Sequence, residues 1–248
     1  MRTPRLAAAM LGCVVALSLA ACGQAQPAAL YRAHDDPALR AHVQTTARGV
    51  PAEPTTGQLW SSFQSSLASA RTMHVSGTVH MDKREATVDL SGACDNSNDK
   101  STITLGLESF EVTTVAGTYY IKANTAYWKA RGLTQDQIGA IGSRYMATTD
   151  ATMGQFNVSA IVGSLKTTQA VSDGMGVIAE KTALNGHPVY LFSVSTKSGR
   201  MTIWVTDTAY TLLKIRLESP DGTDELVFSD WNVPVAFTAP PAAQVISL

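Results

Sequence analysis

Histidine and aspartate residues are the first candidates for chemistry, because both can ligate metal ions. His74 and His80 belong to one face of a predicted strand, but six residues of extended chain separate them by about 20 Å. At that distance they cannot share an ion, and we expect both side chains to face solvent. The run Asp95-Asn96-Ser97-Asn98-Asp99 has the D-x-S-x-D spacing that opens a calcium loop, yet Lys100 stands where that loop needs Gly and Gly106 where it needs Glu. We interpret residues 95–99 as a solvated turn and expect no metal site.

Two short segments of the sequence combine serine and lysine in the manner of known catalytic motifs. Ser97-Asn98-Asp99-Lys100 has an S-x-x-K spacing and Lys197-Ser198-Gly199 is close to K-T-G, two motifs of penicillin-recognising enzymes. Such a serine opens a buried helix, whereas Ser97 stands among Asp and Asn residues typical of a hairpin loop. The sequence contains neither H-E-x-x-H nor G-x-S-x-G. We therefore expect no enzymatic activity and no cofactor.

Cys22 is the residue with the clearest chemistry. Arg2 and Arg5 precede an uncharged run, Leu6–Ala21, which is too short for a comfortable membrane span and has the order of a secretory signal. The run ends in Leu19-Ala20-Ala21-Cys22, which resembles a lipobox, where the cysteine thiol receives a diacylglycerol. An ordinary cleavage site with a coincidental cysteine is the alternative. We predict a signal peptide at residues 1–21 and palmitate-type lipidation of Cys22, which would hold the chain on the extracytoplasmic face of a cell membrane.

Charge and cysteine content restrict the kinds of ligand and of fold that this chain can have. The predicted signal peptide contains two of the 19 basic residues and none of the 20 acidic ones, so the mature chain is slightly acidic. It has no basic region that would suggest nucleic-acid binding. After processing and lipidation only Cys94 remains, so the fold must rest on an ordinary hydrophobic core. Cys94 is most simply a small apolar side chain at a strand end, and a reactive thiol is the alternative.

A tether and a helix come next along the chain. Residues 22–56 contain four prolines among mixed polar residues, and we interpret them as the lipidated N-terminus and a flexible tether with a reach of roughly 30 Å. The alternative is a segment that wraps the domain. Apolar residues then recur at helical spacing between Gly57 and Arg71, which predicts a helix at the start of a domain spanning 57–248.

Alternating residues predict strands on both sides of a helical middle. Alternation begins at Val75 and continues, through turns, to Ala123. Helical patterns follow, one through Ile138, Ile141, Tyr145 and Met146 and another from Met153 to Leu165. Strands resume near Gly176, with Asn185-Gly186 as a hairpin turn and an irregular tail at the end. These runs predict an α+β fold with one antiparallel sheet of about ten to eleven strands, which should curl, and with helices covering the concave face.

This order of elements resembles the LolA/LolB-like superfamily, and most closely the LppX/LprG-type envelope lipoproteins. The passages that carry the resemblance are Ser65–Thr78, where a helix leads into the first strand, and Leu212–Pro234, where a strand, a Pro-Asp-Gly turn and a strand lead into Ser229-Asp230-Trp231-Asn232. The resemblance covers roughly residues 57–240. It implies a curled antiparallel half-barrel whose concave apolar face, covered by helices, holds a lipid or acyl-chain ligand.

Several apolar residues are candidates for the lining of such a cavity, because acyl sites are lined by adaptable apolar side chains. The candidates are Phe63, Leu67, Met81, Ile141, Tyr145, Met153, Phe156 and Ile161. The same stripes could equally form a filled core. The leading hypothesis is a lipid-binding or lipid-transfer lipoprotein. The alternative is an interaction or sensor lipoprotein that uses the half-barrel as a scaffold for an envelope protein partner.

Overall fold

The computed structural model describes residues 54–81, 83–166, 178–196 and 199–247. The predicted signal peptide, Cys22 and most of the predicted tether lie outside these residues, as do Lys197 and Ser198. None of the helices in the described part of the chain is long and apolar enough to cross a membrane.

The domain begins with helix α1 (Thr56–Ser69). Its start is set by a capping box, in which the Thr55 hydroxyl accepts from the Gln58 N–H and the Gln58 side chain accepts from the Thr55 N–H. The apolar residues at helical spacing form its buried stripe: Leu59, Trp60, Phe63 and Leu67. The helix predicted between Gly57 and Arg71 is therefore present.

Five antiparallel strands follow α1 as a meander. They are β1 (Thr72–Met81), β2 (Arg84–Ala93), β3 (Asn98–Leu105), β4 (Glu108–Val115) and β5 (Thr118–Ala123). The prediction of a turn over residues 95–99 is wrong at its end, because Asn98 and Asp99 already belong to β3 and pair with Val115 and Thr114.

The middle of the chain is mixed. It contains α2 (Thr125–Ala130), α3 (Gln135–Ile141), β6 (Tyr145–Thr148), a 3₁₀ helix (Ala151–Phe156) and α4 (Val158–Lys166). The predicted helix through Tyr145 and Met146 is wrong. Gly142, with φ 57°, ends α3, and the chain then pairs with β5 as β6.

A second meander completes the sheet. Its strands are β7 (Ile178–Leu184), β8 (His187–Thr196), β9 (Gly199–Thr206), β10 (Leu212–Ser219) and β11 (Gly222–Ser229). Asn185 and Gly186 both have positive φ, as the predicted hairpin turn requires. The tail is not wholly irregular, because a 3₁₀ turn (Ala242–Gln244) leads into β12 (Val245–Ser247), which pairs in parallel with β6.

All twelve strands of the described chain form one sheet. Its order is β12-β6-β5-β4-β3-β2-β1-β11-β10-β9-β8-β7, so the two meanders join where β1 pairs with β11. The edge strands β12 and β7 lie at opposite ends, and the sheet stays open. The predicted α+β half-barrel is confirmed, with twelve strands rather than ten or eleven.

Two apolar clusters lie on the inner face of this sheet. The first cluster joins α1 and α4 to β1 and to β8–β11, around Phe63, Phe192 and Val162. The second cluster joins α2, α3 and the 3₁₀ helix to β3–β5, around Phe110 and Tyr127. The helices thus cover one face of the sheet in two patches, and Val88 packs against both.

Candidate functional site

Aromatic side chains form the contact between α1 and the sheet in the first cluster. The ring centroids of Trp60 and Phe63 are 5.0 Å apart, and Trp60 meets Phe192 of β8 edge to face at 5.5 Å. Phe63 and Phe192 are fully buried. Their burial removes large apolar areas from water, which holds α1 against the inner face.

The described hydrogen bonds of α1 run within the helix and its cap. Besides the capping box, Ser65 donates to the Ser61 carbonyl and Ser69 donates to the Ser66 carbonyl. Its contact with the sheet is therefore carried by apolar surface, which has no directional requirement.

The second cluster also contains packed aromatic rings, and the Arg131 guanidinium lies over one of them. Phe110 lies 4.6 Å from Tyr127 and 5.2 Å from Phe156, measured between ring centroids. The Arg131 guanidinium lies 3.3 Å from the Tyr127 ring centroid and pairs with Glu108 at 3.3 Å. Burial raises the pKa of the Tyr127 hydroxyl, so this ring stays neutral across the physiological range.

A row of buried polar side chains lies near the start of α4, beside residues of both clusters. We call Asp99, Ser101, Thr114 and Asn157 the polar belt, and all four are buried. Asp99 lies between Gly92 of β2 and Thr114 of β4 in the strand register. Asn157 precedes α4, with Phe156 packed on the second cluster and Val158 in the first.

The polar belt holds the chain at the start of α4. Ser101 Oγ donates to the Phe156 carbonyl at 2.5 Å, and the Val158 N–H donates to Asp99 Oδ1 at 3.3 Å. The Asn157 amide donates to Thr114 Oγ1 at 3.2 Å and to the side chain of Asn96. Unlike α1, α4 is thus tied to the sheet by directional polar contacts.

Asp99 has an unusual electrostatic environment. Its side chain is fully buried, and its Oδ2 atom has no hydrogen-bond partner among the described residues. Burial raises the pKa of this carboxyl to about 7, the Val158 N–H opposes the rise, and the negative charge of Asp95 adds to it. The interpretation of residues 95–99 as solvated is therefore wrong for Asp99, because residues some sixty positions later in the sequence cover it.

The predicted cavity residues divide between the two clusters. Phe63 and Leu67 belong to the first cluster and Ile161 packs against it, while Ile141 and Met153 belong to the second. Met81 and Phe156 pack against the second cluster. Tyr145 is half-buried on β6, where the Lys122 ammonium lies 5.2 Å from its ring centroid. All eight remain candidates for ligand contact.

Two pockets of the described residues lie away from this interior. One is a wide depression of about 840 Å³ beside the start of α1, lined by Thr55, Gln58 and Ser61 among others. The other is a groove of about 560 Å³ lined by residues of β7–β11 and their turns, including Leu184, Leu213 and Val227. Val227 is 45% exposed, whereas its neighbour Phe228 belongs to the first cluster, so the Val227 side chain lies on the outer face.

The two histidines lie on one face of β1, as predicted, but both are half-buried rather than turned to solvent. His74 contacts Ser229 Oγ at 3.1 Å through Nδ1 and Asp89 at 3.3 Å through Nε2. His80 Nδ1 lies 2.8 Å from Asp224 Oδ1. In the described part of the chain no group of three or more His, Cys, Asp or Glu side chains could hold a metal ion. Cys94 is half-buried and packs against the first cluster.

The polar belt is the feature that the sequence reasoning missed. A run of Asp and Asn between two strands has the composition of a loop, and alternation is visible only from Ser101 onward. One local signal was available. Asp99, Ser101 and Ile103 are spaced by two residues, which places them on the same face of a strand that begins earlier than predicted.

No family model and no curated protein matches this chain. Among solved structures, it is similar to LprF from Mycobacterium bovis, with 13% identity, a TM-score of 0.49, and coverage of 74% of this chain and 95% of that one. It is similar to the lipoprotein LppX from Mycobacterium tuberculosis, with 14% identity, a TM-score of 0.46, and coverage of 73% and 99%. A LolA superfamily protein from Nitrosomonas europaea matches with 9% identity, a TM-score of 0.26, and coverage of 74% and 95%. Each of these matches is a similarity of overall fold at low sequence identity.

Proposed function

We propose that this chain is an exported, lipid-anchored envelope protein that binds an acyl chain on the inner face of its half-barrel, without a catalytic step. The observation that supports the proposal is the purely apolar contact between α1 and the sheet. An acyl chain needs a long apolar surface and few polar partners, and the strands beneath α1 provide such a surface. One part of the ligand would bind where α1 now lies, and the rest would extend along the inner face towards the second cluster.

The free energies of the α1–sheet contact and of an acyl chain–sheet contact are similar enough for a ligand to replace α1. The four buried side chains of α1 stabilise its contact with the sheet by roughly 6–12 kcal/mol, at 1.5–3 kcal/mol for each large apolar side chain. An acyl chain of about 15 methylenes gains about 12 kcal/mol on leaving water, at about 0.8 kcal/mol for each methylene. Because these values are similar, a single acyl chain can compete with the helix for the inner face.

The first test is native mass spectrometry of residues 22–248 carrying Cys22→Ser, produced in a lipid-bearing bacterium and purified without detergent. We expect a stoichiometric extra mass that extraction identifies as an acyl lipid. A mass equal to that of the protein alone, unchanged after incubation with vesicles, would refute the acyl-binding proposal.

A variant of α1 tests where the ligand binds. Phe63→Ala removes part of the contact between α1 and Phe192, so the helix competes less well and ligand occupancy should rise. Ser65→Ala, on the exposed side of the same helix, is the matched control and should leave occupancy unchanged. Lower occupancy in Phe63→Ala would show that α1 helps to line the site instead of giving way.

The lipid anchor has a separate test. The full chain, expressed with labelled palmitate, should incorporate label and sediment with membranes, whereas its Cys22→Ser variant should do neither. A labelled and membrane-bound Cys22→Ser variant would remove the anchor from the proposal and leave acyl binding untouched.

A second candidate function is that of an interaction lipoprotein, and the outer groove between β7 and β11 favours it. The groove combines exposed Val227 with a rim that includes His187 and Asp207, an arrangement common at protein contact sites. If the chain carries no lipid, photo-crosslinking from position 227 in intact cells should yield one defined adduct. The same probe at exposed Thr102 should yield none.

A further inference from the structure

The polar belt contains one acceptor whose hydrogen bond is missing. Ser101, Thr114 and Asn157 have partners, and Asp99 uses Oδ1 for the Val158 N–H. Asp99 Oδ2 is buried and has no partner among the described residues. A buried acceptor without a donor costs roughly 1–3 kcal/mol, and more when it is charged, so a group that supplies the donor would bind favourably there.

The position of Asp99 limits what that group can be. The polar belt lies beside both apolar clusters, because Phe156 packs against the second cluster and Val158 belongs to the first, so a group that reaches Asp99 must be attached to apolar material. An anionic phosphate would be repelled by the carboxylate and would lose its hydration. An alkylammonium would supply a donor but would have to be buried as a charge.

A hydroxyl group fits both protonation states of Asp99. Burial raises the pKa of this carboxyl to about 7, so both forms exist near neutral pH. A hydroxyl can donate to the carboxylate, and it can accept from the protonated carboxyl. It carries no charge, so its burial costs less than that of an ionic group.

We propose that Asp99 is a specificity-determining residue that selects acyl ligands bearing a free hydroxyl within their apolar chain. The hydroxyl donates to Asp99 Oδ2, and the chain on either side of it contacts the first and second clusters. This inference rests on the proposed acyl-binding function and adds a preference among acyl ligands.

The test compares two ligands that differ by one hydroxyl group, 12-hydroxystearate and stearate. Residues 22–248 with Cys22→Ser are delipidated and titrated with each at pH 7, and dissociation constants are measured by calorimetry. We expect 12-hydroxystearate to bind about tenfold more tightly, the effect of one hydrogen bond to a buried charged group.

Three variants locate the preference. Asp99→Ala removes the acceptor and should bring the ratio of the two dissociation constants to about one. Asp99→Asn keeps an acceptor for the Val158 N–H and replaces Oδ2 by a neutral donor, so the preference should fall to a few-fold. Thr102→Ala, on the exposed face of the same strand, should keep the tenfold preference. If Asp99→Ala does not fold, the ligand preference of Asp99→Asn is compared with that of the starting protein instead.

The outcomes separate this inference from the function on which it rests. Equal binding of both ligands by the starting protein would overturn the inference and leave acyl binding standing, with Oδ2 then bound to an ordered water. A tenfold preference that persists in the foldable Asp99 variants would also overturn it. If neither ligand binds and no lipid copurifies, the acyl-binding proposal fails and the inference fails with it.

Discussion

Replacing Asp99 with Asn should change how the stability of this protein depends on pH. In the folded chain the pKa of Asp99 is raised from 3.8 to about 7 because the carboxyl is buried. Between those two values the folded state holds a proton that the unfolded state releases. The contribution of the neutral carboxyl to stability is therefore fully present below about pH 4 and is lost as the pH rises through 7.

The rise in pKa sets the size of the effect. At 1.36 kcal/mol per pKa unit, the native chain loses up to about 4 kcal/mol of unfolding free energy between pH 4 and pH 8 because of this one carboxyl. Asn cannot ionise, and its side-chain oxygen can still accept from the Val158 N–H. Relative to the native chain, Asp99→Asn should therefore gain up to about 4 kcal/mol across that range.

Urea unfolding followed by tryptophan fluorescence, at several pH values from 4 to 8, measures this difference. Other groups titrate in both proteins, so their effects cancel when the native and variant curves are subtracted. Thr102→Ala, on the outer face of β3, controls for changes in this strand and should follow the native curve. Native and Asp99→Asn curves that stay parallel within about 1 kcal/mol would refute the assignment of a raised pKa to a buried Asp99.

Four further substitutions test the local structure by urea unfolding. Gly92→Ala would place Cβ 1.9 Å from Asp99 Oδ1 and should lower the unfolding free energy by about 1–3 kcal/mol, whereas Gly139→Ala, whose Cβ would meet nothing within 4 Å, should raise it by about 0.5–1 kcal/mol. Thr134→Ala removes the capping box of α3 and should cost about 1 kcal/mol. Trp231→Phe removes the hydrogen bond from Nε1 to the Leu212 carbonyl, 3.0 Å long, and should also cost about 1 kcal/mol. An unchanged unfolding midpoint in Gly92→Ala would contradict the close approach of β2 to Asp99.

Local patterns were sufficient to predict most of the sheet. Strand alternation has a period of two residues, and turns such as Asn185-Gly186 need residues that tolerate positive φ, so both are visible in a short window of sequence. The first helix is similarly visible, because its apolar stripe and its capping box are both local. These elements have the bounds that the sequence predicts, within a few residues.

Where strands pair with distant partners, local patterns were misleading. Tyr145 and Met146 continue a helical spacing from Ile141, yet they form β6 because β5 and β12 lie on either side of it. The tail looked irregular because a three-residue strand is too short to show alternation. The stability of such strands comes from hydrogen bonds to residues far away in the chain.

The sequence by itself determined the class of the fold, the order of helices and strands, and the apolar residues available for an inner face. Only the tertiary structure decided which polar residues are buried. Asp99 has the sequence context of an exposed loop, and it becomes a buried carboxyl because the chain at Asn157 and Val158 covers it. Burial of a polar group depends on what packs over it, and neither composition nor periodicity near Asp99 contains that information.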